Sequence, residues 1–301
     1  MMDTVHYSDC PICGSKEINP LLTVKDYTVS KEEFVIWHCN QCTLRFTQDV
    51  PGEASIGRYY KSADYISHSD TDKGFINRIY KQVRKKTLQQ KATLIIKSTG
   101  KANGRLLDVG CGTGAFLGTM KDHSWQVQGL EPDLDARSLA KRLYDVTVEA
   151  PDQLFRLEAG SFDAITLWHV LEHVHQLHNY IEQLKTLLAP GGKIFIAVPN
   201  YTSLDADIYR LHWAAYDVPR HLYHFTPAAI KVLVEAHGLK LVAKKPMWFD
   251  SFYISMLSSK YRHGNTSYVA SFINGVRSNL KALGNADRCS SLVYIVSGAK
   301  K

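Results

Sequence analysis

The 301 residues hold no long uncharged apolar run, so no stretch reads as a transmembrane helix. Residues Met1 to Ser8 carry Asp3 and His6 and lack the apolar core of a secretory leader. A cytoplasmic, reducing location is therefore expected. Cysteine is scarce, at 6 residues, which excludes a disulfide-stapled secreted scaffold. Acids are in deficit, 29 against 36 lysines and arginines, for a formal charge of +7. The excess cations are scattered rather than gathered into a tract, which argues against a basic nucleic-acid arm. No RNA-module pattern of stacking aromatics with Arg or Lys is visible either, so nucleic acid is not an expected partner. Apolar residues are plentiful. At 45% hydrophobic content the chain can bury a full core and still spare a small module and a cap.

Four of the cysteines form two knuckles, Cys10-Pro11-Ile12-Cys13 and Cys39-Asn40-Gln41-Cys42, separated by a segment long enough for two strands. Paired Cys-x-x-Cys spacing is a zinc-ribbon signature. Four thiolates close a tetrahedral shell with no open position, so the implied metal is structural zinc. Two disulfides are the alternative, disfavoured by the missing leader. Cys111 and Cys289 are left over and read as packing residues.

The run Leu106-Leu107-Asp108-Val109-Gly110-Cys111-Gly112-Thr113-Gly114-Ala115-Phe116-Leu117 leads an apolar strand into alternating glycines and then a helix start. Glycines there let the main chain approach a nucleoside cofactor. Gly110, Gly112 and Ala115 also satisfy the dinucleotide fingerprint, so the loop alone leaves a nicotinamide enzyme open. Either reading wants an acid at the end of the next strand, and Glu131 closes Val127-Gln128-Gly129-Leu130 about 20 residues on. Strands are expected near Arg105 to Val109, Gln126 to Glu131, Val146 to Glu149, Phe162 to Trp168 and Lys193 to Val198. With helices between them, they imply a doubly wound parallel sheet. Two later strands, Leu239 to Pro246 and Leu292 to Ser297, flank a long helical insertion, Phe249 to Arg288, that could cover the substrate or a dimer partner. Ahead of the sheet, Arg78 to Lys97 reads as a basic amphipathic helix.

Asp108 before the loop, the run Phe162-Asp163-Ala164-Ile165-Thr166-Leu167-Trp168-His169-Val170-Leu171-Glu172-His173-Val174, and Leu188-Ala189-Pro190-Gly191-Gly192-Lys193-Ile194-Phe195-Ile196 occur in order. With them the chain resembles the class I S-adenosylmethionine-dependent methyltransferases, strongly over Gly104 to Asn200 and more weakly to the C-terminus. The resemblance implies an α/β fold: a doubly wound, seven-strand Rossmann-like methyltransferase sheet with a small N-terminal zinc ribbon and a helical cap. It divides the chain into a ribbon over 1–50, a linker and amphipathic helix covering the cofactor over 51–98, and a methyltransferase domain over 99–301. Cap insertions then fall near 201–226 and 249–288. It also implies that Gly110, Gly112 and Gly114 border the cofactor's methionine moiety. Asp108 orients the loop or the cofactor's amino group, and Glu131 holds the ribose. His169, with Trp168, sits at the mouth of the fourth strand where ligands gather. Tyr60, Tyr65 and His68 are candidate contacts from a segment that folds over the cofactor in similar enzymes; packing on the core would look the same. No residue of Glu149 to Leu154 matches an adenine contact cleanly. His173 reads as a satisfied helix residue.

The substrate-side stretch is Leu211-His212-Trp213-Ala214-Ala215-Tyr216-Asp217-Val218-Pro219-Arg220-His221-Leu222-Tyr223-His224-Phe225-Thr226-Pro227, dense in polar aromatics, Arg and His. Thr226 can cap the following helix and Gly238 can end it, which leaves the cluster as a loop over the sheet's carboxyl edge. Methyl transfer to a hydroxyl or acidic carbon needs an in-line nucleophile and a base. His221 is the candidate base. It resembles a histidine of sugar C-methyltransferases that carry a zinc ribbon, although their Tyr-His-Glu-His run is Val218-Pro219-Arg220-His221 here. Arg220 could bind a substrate carboxylate or phosphate, and Asp217 could orient either neighbour. The alternative for all three is holding the loop in place. The expected acceptor is a small or carrier-bound metabolite, methylated on oxygen or carbon. An RNA or protein methyltransferase docking through the ribbon, and a cofactor-binding protein without turnover, are the competing classes. Strand four ends in Leu167-Trp168-His169-Val170 and lacks the Asn/Asp-Pro-Pro-aromatic grip of base N-methylation.

Overall fold

The computed structural model describes residues 3–61 and 75–298, with side chains described outside 75–81. Tyr65 and His68 lie outside the described residues. The chain opens with β1 (Thr4–Val5), β2 (Ile18–Lys25), β3 (Glu33–Cys39), β4 (Arg45–Thr47) and β5 (Val50–Pro51). Helix α1 (Phe75–Thr99) then leads into β6 (Arg105–Val109), α2 (Ala115–Asp122), β7 (Gln126–Leu130), α3 (Leu134–Tyr144), β8 (Thr147–Glu149), β9 (Phe162–Trp168), α4 (Leu177–Leu187) and β10 (Leu188–Pro199). The remainder comprises α5 (Leu204–Tyr209), β11 (Tyr223–His224), α6 (Pro227–Ala236), β12 (Leu239–Pro246), α7 (Asp250–His263), α8 (Tyr268–Gly284) and β13 (Ser291–Gly298).

The main sheet has seven strands in the order β12-β13-β10-β9-β6-β7-β8, with β13 antiparallel to both neighbours. Alternation along its strands builds two cores. Leu107, Val109, Ile165, Leu167, Ile194, Ile196, Leu292 and Tyr294 pack on one face with α4 (Leu177, Ile181, Leu184) and α6 (Ile230, Leu233, Val234). Leu106, Ala164, Phe195, Ala197, Val293 and Ile295 pack on the other with α1 (Ala92, Ile95), α2 (Phe116, Met120) and α3 (Ala140). Helices on both faces make the fold doubly wound. The chain winds outward from β6 through β7 and β8, then returns to β9 beside β6. The switch point, where open α/β sheets bind ligands, therefore lies between the ends of β6 and β9. Strand β10 starts earlier than the expected Lys193: Leu188 already pairs with Phe162, and a bulge through Gly191, at φ +80°, resets the register to Lys193 opposite Ala164.

The ribbon is not a separate sheet. Its strands β2, β3 and β4 take a fourth member, β11, from the loop after strand β10, with Tyr223 opposite Phe46 and His224 opposite Arg45. The ribbon's Cys10, Leu44 and Phe46 are buried in the same cluster as Leu222, Tyr223 and Phe225. Residues 201–226 and α7 close over the ribbon's other side, where Val24 and Ile36 meet Tyr209, Trp213, Tyr216 and Ile254.

Candidate functional site

The glycine loop leaves β6 in the left-handed region. Gly110 has φ +68° and packs so closely on Val170 that a Cβ would come within 2.5 Å of its Cγ2. Gly112, at φ +53°, faces open space: a Cβ there would meet nothing within 4 Å. It also donates its N–H to Glu131 Oε2 at 2.8 Å, and Asp133 donates to Oε1 at 3.0 Å. Burial raises the Glu131 carboxyl, against the pull of these two donors. Asp108 is buried, accepts the Thr166 hydroxyl at 2.6 Å, and is pushed up by burial to about 7. Lys91 of α1 lies 4.1 Å over the Trp168 ring; burial depresses its ammonium, while the charges of Asp108 and Asp250 support it. An open backbone cradle beside a carboxylate at the end of β7 suits a nucleoside with an amino-acid tail. Gly110, Gly112, Gly114, Asp108 and Glu131 would hold that group.

At the exit of β9, His169 takes φ +59°, which turns its ring off the strand. Its Nε2 lies 3.1 Å from Asp250 Oδ2 and its Nδ1 3.5 Å from Glu172 Oε1. Burial would lower its imidazolium, but the hydrogen bonds to the two carboxylates outweigh that and raise it to about 10. Beyond it the 3-10 turn Leu171–His173 carries Glu172 and His173 inward. Glu172 is fully buried, and neither oxygen has a hydrogen-bond partner closer than the His169 contact. Although burial pushes its carboxyl up, the surrounding imidazoles hold it below the usual range.

His173 and His221 stack edge to face with centroids 4.6 Å apart. Each aims Nδ1 at a backbone carbonyl 2.9 Å away, Arg220 O for His173 and Ala215 O for His221. A carbonyl can only accept, so each Nδ1 carries a proton, and in the neutral ring the lone pair is on Nε2. Tyr60 brings its hydroxyl to 3.0 Å from His173 Nδ1. Glu172, His173 and His221 thus offer one ligand atom each within 4.8 Å of one another. Burial, and then the His221 neighbour, lowers the His173 imidazolium to about 4.

Arg220 has no such freedom. It is buried, its Nε and Nη2 grip Asp217 at 2.9 and 2.5 Å, Nη2 also reaches Asp26 at 3.2 Å, and Nη1 donates to Tyr59 O at 2.8 Å. Its guanidinium ties the loop to the ribbon and to the segment before α1, the arrangement of a positioning group. Asp217 Oδ2, 3.9 Å from His221 Nε2, touches both neighbours. Sequence reasoning singled out His169, His221, Arg220 and Asp217 and passed over Glu172, Asp250, Lys91 and Asp26. Only Glu172 left a signal, as a carboxylate within the apolar run Val170 to Val174.

In the ribbon, Cys10 Sγ lies 3.5 Å from Cys42 Sγ and Cys13 Sγ 3.6 Å from Cys39 Sγ, with all four sulfurs within 4.8 Å. Zinc–sulfur bonds of about 2.3 Å in a tetrahedron separate sulfurs by roughly 3.8 Å, so the cluster can hold zinc. A disulfide, at about 2.05 Å, does not describe these pairs.

The family model described as a methyltransferase domain matches residues 80–244. A ubiquinone biosynthesis O-methyltransferase of Xanthomonas axonopodis pv. citri (strain 306) is 31% identical over 162 residues, covering 50% of this chain and 68% of its own length. One from Cupriavidus pinatubonensis (strain JMP 134 / LMG 1197) is 27% identical over 192 residues, 58% of this chain and 74% of its own. The solved structure of a SAM-dependent methyltransferase from Archaeoglobus fulgidus covers 71% of this chain and 93% of its own, with a TM-score of 0.48 and 20% identity. The ordered motifs, the seven-strand sheet with its switch-point glycine cradle, and the family match agree: the chain belongs to the methyltransferase-domain family and is an S-adenosylmethionine-dependent methyltransferase.

Proposed function

We propose that the chain methylates a hydroxyl of a small or carrier-bound metabolite, with His221 as the base. The observation that carries this reading is the contact of His221 Nδ1 with Ala215 O at 2.9 Å, which assigns a proton to Nδ1. With Nδ1–H committed to Ala215 O, the neutral ring would offer its Nε2 lone pair, in a residue that clusters with the buried Glu172 carboxylate. The bound cofactor supplies an electrophilic methyl on a sulfonium. An acceptor hydroxyl must give up its proton as the new bond forms, and Nε2 of His221 would take it. The imidazolium so formed is stabilised by Glu172 and by Asp217, 3.9 Å from that nitrogen. His169, held as a cation by Asp250 and Glu172, closes the site on the cofactor side and keeps Glu172 charged. Arg220 fixes the loop that carries His221. The names of the O-methyltransferase relatives favour oxygen as the acceptor atom. No helix among the described residues is long and apolar enough to cross a membrane, and six free cysteines fit a reducing compartment. We accordingly place the enzyme in the cytoplasm.

The test is incubation of the purified protein with methyl-labelled S-adenosylmethionine and cell extract, then separation into small-molecule, lipid, nucleic-acid and protein fractions. Label in small molecules or lipids is expected. Label confined to RNA or protein overturns the reading and makes the ribbon a macromolecular docking module.

A further inference from the structure

The hairpin α7–α8, inserted between β12 and β13, is built inside out. Its two helices pack on each other and on α5 through small and polar side chains. Ser251, Ser255 and Ser258 of α7 and Ser271 and Ser278 of α8 are all completely buried. Ser271 donates to Ser255 O, and Ser278 to Asp205 Oδ1. A Cβ on Gly275 would collide with the Phe252 ring. The large apolar side chains of α8 point the other way. Val269 is 74% exposed, Phe272 63%, Leu280 60% and Leu283 70%, with Ile273 half exposed. Spacings of three and four residues put them on one stripe along the helix. A face of this size is normally covered by something.

Charge selects the occupant. Between Met247 and Asn285 the cations are Lys260, Arg262, Arg277 and Lys281, and the only acid is Asp250, already committed to His169. Arg277 and Lys281 are exposed beside the apolar stripe and make no ion pair among the described residues. Pairing two copies of this face about a twofold axis would bring Arg277 and Lys281 of each copy into a seam whose own residues offer no uncommitted acid. An anionic bilayer surface complements both features at once: it takes the apolar stripe into the acyl boundary and the cations among its head groups.

We propose that α8 docks the enzyme, in plane, on an anionic lipid surface. The hairpin that carries this face is rooted at the candidate site, where α7 begins at Asp250, 3.1 Å from His169. The docking itself does not rest on the identity of the acceptor.

The test is co-sedimentation of the full chain with vesicles of phosphatidylcholine alone and of phosphatidylcholine mixed with phosphatidylglycerol, with size-exclusion mass measured in parallel. Retention is expected on the anionic vesicles, falling with added salt. The double variant Val269→Asp/Leu283→Asp should weaken it by about tenfold or more, because it takes two large apolar side chains out of the acyl boundary and sets two carboxylates against anionic head groups. Both residues are exposed, so the variant should fold, and cofactor affinity by calorimetry should match the parent. No retention on either vesicle, or equal retention of the variant, overturns the proposal. So does a doubled mass that the same variant halves, which would assign the face to a second copy. Unchanged cofactor binding in any of these outcomes separates failure of the docking from failure of the methyltransferase reading.

Discussion

Glu131 closes the glycine loop by accepting Gly112 N–H, and on the proposed reading the same carboxylate would hold the ribose. Glu131→Ala removes the proposed ribose acceptor together with the acceptor of two backbone donors, hydrogen bonds to a carboxylate contributing about 1.5–3 kcal/mol each. Calorimetry should record S-adenosylmethionine affinity falling roughly ten- to a hundredfold or more, and an unchanged affinity would refute this register of the cradle. His221→Ala should behave oppositely, keeping cofactor affinity while turnover drops by about 10² to 10⁴; normal turnover would leave His221 as a loop-holding residue. His169 makes a pH prediction. Its folded value of about 10 lies above the usual value of about 6.5. Its protonated form therefore stabilises the fold, fully below about pH 6.5, and that contribution is lost as pH climbs toward 10. Urea midpoints should decline across this window, and the decline should be shallower in His169→Gln. An identical pH slope in the variant would show that the Asp250–His169–Glu172 contacts are not linked to folding.

Among the elements, the sheet was legible because parallel strands buried on both faces read as short apolar runs, each followed by a turn signal. The knuckles were legible from spacing alone. Strand β11 was not: two residues, Tyr223 and His224, have no periodicity, and only the presence of β4 makes them a strand. Asp250 was hidden in the same way, in a remote insertion that the fold returns to β9. Arg220 stood out as a cation in an aromatic loop, yet its partners Asp26 and Tyr59 O are distant in sequence, so its burial left no local trace. The β4–β11 join is also where His221 is held. Thr47 Oγ1 donates to His221 O at 2.8 Å, and Thr47 N–H to Leu222 O at 2.9 Å. Thr47→Val keeps the shape and the backbone bond but strands a buried carbonyl, at a cost of about 1–3 kcal/mol. Turnover should fall several-fold with cofactor affinity preserved, and a fall in both together would mean that the join supports the sheet rather than the acceptor loop.

At the scale of the whole molecule, the carboxyl edge of the sheet is roofed by the ribbon, the loop 201–226 and the α7–α8 hairpin, and the ribbon joins the roof to the core. Structural zinc in small domains contributes about 10–16 kcal/mol of apparent binding energy, comparable with or larger than the 5–15 kcal/mol that stabilises a typical domain. If the four cysteines hold zinc, stripping it should therefore unfold the ribbon and release β11 with it, because β11 is paired to β4 alone within its sheet. The main sheet keeps its own two cores and should survive. Hydrogen exchange of chelator-treated protein, or of Cys42→Ser, should speed up over residues 10–47 and also over 217–226, with β6, β9 and β10 still protected. Transfer should be lost while cofactor binding persists within a few-fold. Exchange confined to 10–47 would show that the loop holds itself in place through Asp217 and Glu172, and the ribbon would then be an appendage to the acceptor site rather than one of its walls.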